Sequence, residues 1–406
     1  MFRNRVNDGE LENTPAPSET DDRYSKEMLN RSEHCNGKFV GYQQKFAILT
    51  DVIVDPKHGF GRRGGENISN VLMQKEEDEY YKLRRGYFNL VCPETFRYEF
   101  HSKTHVKNWF KALMFNKSRK ELTIINKTIS KWTIAVQRYD YANFYHAMTD
   151  WYNAFLIAKL FKVDPRSINI LWIDGHPRGS LDSTWEVLFG DVIQSGSVRK
   201  PVLFEHLVWG MMGNDSPLHN HNSDEIGYID EFRRFFLSRH GHAADIQNAI
   251  LNCRNLKILF IWRRNYVAHP RNPSGFVSRK IQNEDELLST ARTVLPGHNI
   301  SWIQIEKLTM KNQLKIIANT DILIGMHGAG LTHTLFLPKH AGLIEFYPEY
   351  WSTANAHFKA MARWRNIGYV QWKNTDRSRE MAGRRTNIDI DIFRQILIEM
   401  KHKLCP

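Results

Sequence analysis

The stretch 321–338, DILIGMHGAGLTHTLFLP, sets the reading of the whole chain. An apolar run ends at Met326, the turn His327-Gly328-Ala329-Gly330 follows, and a short apolar segment closes at Pro338. This is the pattern of a strand buried on both faces, a glycine turn and a short helix. Glycines there let backbone amides approach a ligand, and a helix start offers partial positive charge to phosphate oxygens. Open α/β sheets bind ligands outside the carboxyl ends of their strands, where this turn falls. Tight strand–helix packing would call for the same glycines. The spacing is neither Walker A nor G-x-G-x-x-G, which counts against ATP and NAD.

Working outward, strands and helices alternate. LKILFIW (256–262), ISWIQIE (300–306), GLIEFY (342–347) and YVQW (369–372) read as strands, and EDELLSTARTV (284–294), MKNQLKIIAN (310–319) and AHFKAMARW (356–364) as helices. Asn283 and Glu286 form a capping-box variant at the first of these helices. An earlier series gives strands at 132–139, 168–174 and 201–209, with helices at 143–161, 183–189 and 231–240. Two such series predict an α/β chain of two Rossmann-like lobes with a cleft between them. The expected divisions are a polar tail or stem (1–34), an N-terminal lobe (35–250), a C-terminal lobe (251–378) and a terminal amphipathic helix packed on the body (379–406). Asp389 and Asp391 near the start of that helix read as caps, not as a metal-binding Asp-x-Asp.

Three clusters could carry chemistry. At about 100° per residue, Asn143, His146 and Asp150 share a narrow polar stripe on an otherwise apolar helix. An acid buried there must be paired or face a wet cleft. Asp150 is thus either a catalytic base tuned by His146 or part of a structural hydrogen-bond network. Arg263 and Arg264 end a strand, and Arg279 lies in the loop beyond; arginines so placed suit a pyrophosphate. Arg271 reads as a solvated basic residue. Glu345 could accept ribose hydroxyl protons or cap the next helix. The histidines, His219 and His221 included, lack metal-ligand spacing with a third partner, so no metal is expected.

Composition narrows the class. Among 406 residues, Lys+Arg 56 against Asp+Glu 44 gives net charge +12, which favours anionic partners. The basic residues are dispersed and match no nucleic-acid recognition motif. Triplets Asn-x-Ser/Thr at Asn30, Asn67, Asn116, Asn126, Asn214 and Asn299 fit a secretory-pathway protein, though an Asn-rich chain also yields some by chance. The opening 30 residues show no signal-peptide core, and no run is long and apolar enough to span a bilayer. Membrane association is therefore expected only through an anchor outside this sequence. Four cysteines, Cys35, Cys92, Cys253 and Cys405, are too widely spaced for a zinc ribbon.

Taken together, VQRYDYANFYHAMTDWYNAF, INILWIDGHPRGSLDSTWEVLF, ILFIWRRNYVAHPRNPSGFVSRKIQNEDEL and DILIGMHGAGLTHTLFLP resemble, in this order, the catalytic domain of glycosyltransferase family 61. ANFYHAMTDWYNAF, WIDGH and RRNYVAHPRNP are most similar to its plant-type core β-1,2-xylosyltransferase branch. The family also holds EGF-domain-specific and O-mannose-linked GlcNAc transferases. The resemblance implies a GT-B-type fold, a UDP-sugar donor, an inverting reaction, a glycoprotein or N-glycan acceptor and a Golgi or ER lumen location. It implies Asp150 and His146 as catalytic residues, supported by Asn143 and Asp174. Arg263, Arg264, Arg279, His327, Gly328, Ala329, Gly330 and Glu345 would then hold the donor, without a metal. Transfer of GlcNAc to protein or O-mannose, and a non-catalytic binding protein of the same fold, remain alternatives.

Overall fold

A computed structural model of the chain describes residues 19–100, 105–118, 125–211, 213–243 and 249–406. The second series folds as expected. Five parallel strands lie in the order Asn299–Ile303, Lys257–Ile261, Ile322–Met326, Gly342–Tyr347, Gly368–Lys373. Alternate residues serve opposite faces. Ile258, Phe260, Ile324 and Phe346 pack with Leu287, Phe393 and Leu397 of the helices Glu284–Val294 and Ile390–Leu404. Leu259, Ile261, Leu323 and Leu343 face the other way, toward Leu335, Phe336 and Phe358.

The first half is broader than its sequence suggests. Val202–Trp209, Thr133–Val136, Asn169–Trp172 and Val192–Gln194 form a parallel core. Phe46–Val54 then pairs antiparallel with Val202–Trp209, and further strands, including Phe39–Tyr42 and Arg31–His34, extend a mixed sheet of ten strands. It is not a purely parallel Rossmann sheet. Strand FAILTDVIV alternates too little to reveal that one side of this sheet runs antiparallel.

Two other expectations need correction. Of the expected tail, residues 1–18 lie outside the described residues, but Glu19–Met28 is a helix and Arg31–His34 a strand. Met28 is buried, and the Tyr228 N–H donates to Asp21 at 2.6 Å. Tyr24 and Met28, four residues apart, are the helix's apolar anchors, too few to stand out in a polar segment. Asn283 makes no capping bond to its own helix. Its amide instead pairs with both backbone groups of Ile388 (2.9 Å each) and donates to Glu286 (2.9 Å), tying down the approach to the terminal helix. Asp389 does cap that helix, accepting from the Asp391 and Ile392 amides.

The four cysteines pair as Cys35–Cys92 and Cys253–Cys405. The second bridge closes 152 residues, joining the start of the second half to the end of its last helix. Replacing Cys253 and Cys405 together by Ser is expected to lower unfolding free energy by about 2–4 kcal/mol, read as a reduced urea midpoint. An unchanged midpoint would mean that packing alone docks the helix.

Candidate functional site

Strand order fixes where a ligand can enter. From Lys257–Ile261 the chain crosses to one neighbour, Asn299–Ile303, and from there to the other, Ile322–Met326. Loops leaving the first and last of these strands diverge at their carboxyl ends, opening a crevice at a topological switch point. A cleft of about 420 Å³ lies there. Arg263, Arg279, Glu306, Ala329, Gly330 and His333 line it from the second half, and Asn143, Phe144 and Leu181 from the first.

Its charge is unbalanced. The Arg263 Nε–H donates to the Ser278 carbonyl at 3.1 Å. Arg279 sits in the left-handed backbone region (φ 59°), with its guanidinium 4.0 Å from the Trp351 ring centroid and its buried Nε unpartnered. Among the described residues neither arginine has a carboxylate within ion-pair distance. Burial lowers both pKa values, that of Arg279 to about 10 with help from the charge of Arg263. Both remain cationic at neutral pH. Gly328 is extended (φ 167°), so its lack of a side chain serves space: a Cβ there would strike the Arg263 guanidinium. The turn and the arginine are therefore one unit.

Several expected site residues lie elsewhere. Arg264 reaches the cleft but is committed to Glu284 at 2.6 Å. Glu345 is fully buried and cannot meet a ribose. Its carboxyl contacts His327 Nδ1 at 2.6 Å and accepts from the Tyr369 hydroxyl at 2.8 Å. Burial raises the Glu345 pKa to about 8 and, with Arg279 and Arg263, lowers that of His327 to about 3. They form a neutral hydrogen-bonded pair behind Gly328 rather than an ion pair.

Asp150 is 4% exposed and does not line the cleft. Burial raises its pKa well above the carboxylate range, against the opposing charge of Arg138. The helix Phe144–Leu160 meets the cleft only at its first turn, and Asp150 lies about 10 Å farther along the axis. A shared face did not mean a shared depth. His146 rests against Tyr139 (4.7 Å between ring centroids), also off the cleft. Asn143 does line it and caps the helix, accepting from the Tyr145 amide. Asp174 is a structural partner of buried Arg138, which reaches it at 2.8 and 2.9 Å and Asp182 at 2.7 Å.

Two imidazoles in the cleft went unnoticed in the sequence. His333 donates its Nδ1–H to the Gly330 carbonyl (2.8 Å), with burial lowering its pKa to about 4. His269 contacts Asp140 across the two halves at 3.1 Å. Arg271, read as solvated, bridges Glu76 at 3.2 Å beside it. RRNYVAHPRNP looked like a basic loop; only the docking of that loop on the first half exposes these pairs. Histidines His219 and His221, unpromising by spacing, meet Tyr145, and His221 also meets His357 at 2.9 Å.

Residues 144–344 match the family Glycosyltransferase 61. The chain belongs to that family. It is 28% identical over 267 residues to a beta-1,2-xylosyltransferase of Oryza sativa subsp. japonica (59% of this chain, 49% of the relative). It is 25% identical over 376 residues to a beta-1,2-xylosyltransferase of Arabidopsis thaliana (76% and 69%). A shorter segment of 98 residues is 44% identical to the EGF domain-specific O-linked N-acetylglucosamine transferase of Drosophila melanogaster (24% and 18%). The chain thus spans about half the length of the Oryza relative.

Two outcomes follow from this geometry. Gly328→Ala should displace Arg263 and weaken binding of inorganic pyrophosphate about tenfold or more by calorimetry; unaltered affinity would detach Arg263 from anion binding. Glu345 is neutral when folded up to about pH 8, whereas its ordinary value is 4.5. Its folded pKa is raised, so its contribution is present below pH 4.5 and lost as pH rises through 8. The melting temperature should fall across that window, and Glu345→Gln should flatten the decline.

Proposed function

We propose that this family 61 glycosyltransferase is an inverting enzyme using a UDP-sugar, with xylose from UDP-xylose passing in β-1,2 linkage to the core mannose of N-glycans. Supporting this most directly are Arg263 and Arg279, two cationic side chains without carboxylate partners in one cleft, where a pyrophosphate would supply the missing negative charge. In this reading the halves form a GT-B arrangement, with 35–250 receiving the acceptor and 251–378 the donor. The amides at Ala329 and Gly330 open the turn Ala329–Phe336 and would face the donor phosphates. As the acceptor oxygen attacks the sugar C1, the C1–O bond breaks and its electrons pass to the leaving UDP. Fixed guanidiniums next to that developing charge favour the transition state over the ground state. They do so without a divalent ion in this proposal, and turnover should survive chelation.

The xylosyl choice follows the two plant relatives. The second reading, UDP-GlcNAc transfer to secretory-pathway protein domains, is favoured by the 44% identical segment shared with the Drosophila enzyme. A lumenal location, Golgi or ER, accords with two disulfides and with exposed Asn30, Asn67, Asn126 and Asn299 in acceptor triplets; Asn116 is buried. No helix among the described residues is long and apolar enough to cross a membrane.

Hydrolysis and transfer measured over a panel of UDP-sugars decide between the readings. UDP-xylose should be consumed fastest, and Arg279→Ala should reduce kcat/KM about 100-fold. Preference for UDP-GlcNAc would establish the second reading, and inertness toward every donor would defeat both.

A further inference from the structure

Losing Asp150 from the cleft leaves glycosyl transfer without a proton acceptor. Such a group must border the cleft, keep a free lone pair, and be able to hold the proton it receives. Glu306 borders the cleft, and one of its carboxylate oxygens accepts from Gln304 Nε2 at 2.6 Å. The other is free, but among the described residues no buried charged partner stands ready to stabilise the protonated form, as Asp140 does for His269. His333 has an unpartnered Nε2, yet among the described residues no carboxylate contacts it, and burial holds its pKa near 4. It stays neutral and suits hydrogen bonding better than proton uptake.

His269 meets all three requirements. It lines the cleft on the same loop as Arg263, Tyr266 and Arg279. Its Nε2 lies 3.1 Å from Asp140 Oδ1, which fixes the tautomer: Nε2–H donates, and the Nδ1 lone pair is free. Nδ1 is buried and has no partner among the described residues. Asp140 is itself anchored, accepting from the Ala142 and Asn143 amides at 3.3 and 3.2 Å. Burial works to raise its pKa, but His269, His146 and Arg271 outweigh that and hold the carboxyl below its usual range. A carboxylate ionised across the working pH stands ready to stabilise an imidazolium. The charged groups about the pair are Arg271, 3.9 Å from Asp140, and Glu76, which pairs with Arg271; Tyr141 meets His269 edge-on.

We infer that His269 is the general base of this enzyme and Asp140 its positioning residue. This rests on the glycosyl-transfer reading above. The acceptor hydroxyl gives its proton to His269 Nδ1 while its oxygen bonds to the sugar C1 and UDP leaves with the electron pair of the broken bond. The imidazolium, hydrogen-bonded to Asp140, later returns the proton to water. Because Asp140 belongs to the first half and His269 to the second, the base is assembled only when the two halves are docked.

The test uses the full chain, the best donor from the panel and an N-glycan acceptor. His269→Gln keeps an amide able to donate to Asp140 but has no basic nitrogen, so the contact between halves survives. It should lose about 100-fold or more in kcat, with donor KM and UDP affinity within threefold of wild type. His269→Ala should show the same loss and recover in part with added imidazole. Asp140→Asn should lower kcat more than it raises KM. Either His269 variant retaining kcat within threefold would overturn the assignment, as would UDP affinity falling in parallel with kcat, which marks a loop-placing role. Wild-type protein that transfers no sugar would instead fail the parent reading, and the two failures are distinct.

Discussion

The helix Phe144–Leu160 can be buried only by covering it on every side, and that necessity organises the molecule. Fifteen of its side chains are buried, so one sheet cannot satisfy it. The first half covers one flank, with Trp185 and Ile170, and the turn Ala329–Phe336 of the second half covers another. The Phe144 ring lies 4.4 Å from that of His333, and Phe236 lies 4.7 Å from Phe336 across the same seam. A single apolar cluster therefore runs through both halves. The cleft width is set by this packing, and its floor combines a helix start from one half with a glycine turn from the other.

Charge is handled in two opposite ways. Arg138 is buried with Asp174 and Asp182 close enough to neutralise it, and it stacks 3.8 Å over Trp172. Such an arrangement is self-contained and has no use for a ligand. Arg263 and Arg279 are held by a carbonyl and an aromatic face, contacts that orient a guanidinium while leaving its charge unspent. Behind them, His327 and Glu345 stay neutral, so the Glu345 carboxyl does not compete with an incoming anion. The imbalance is local and deliberate in form, unlike the dispersed basic surplus of the sequence.

Parallel strands buried on both faces leave strong apolar runs, and the second sheet, the switch-point turn and the two arginines were readable for that reason. Antiparallel additions to the first sheet alternate weakly and pair across long sequence gaps, so they were not. Angular phase placed Asp150 on the correct stripe, but phase carries no information on which turn of a helix meets a cleft. His269 and Asp140 are 129 positions apart and on different halves; each looks ordinary until the loop around Pro270, whose carbonyl accepts from the Met73 amide at 2.8 Å, is docked. Residues joined by tertiary closure leave no periodic trace.

The terminal helix approaches the second sheet closely because Gly342 and Gly368 present bare backbone beneath the Met400 sulfur. A Cβ at Gly342 would collide with that thioether, so the seat has no spare volume. Peroxide chemistry converts a thioether to a sulfoxide, adding a polar oxygen to an atom already in full contact. Met400 is fully buried, which shields it while the helix stays docked. Fraying of the helix would expose the sulfur, and an oxygen added there would meet the Gly342 backbone on reseating, so oxidation at this joint would loosen the docked helix.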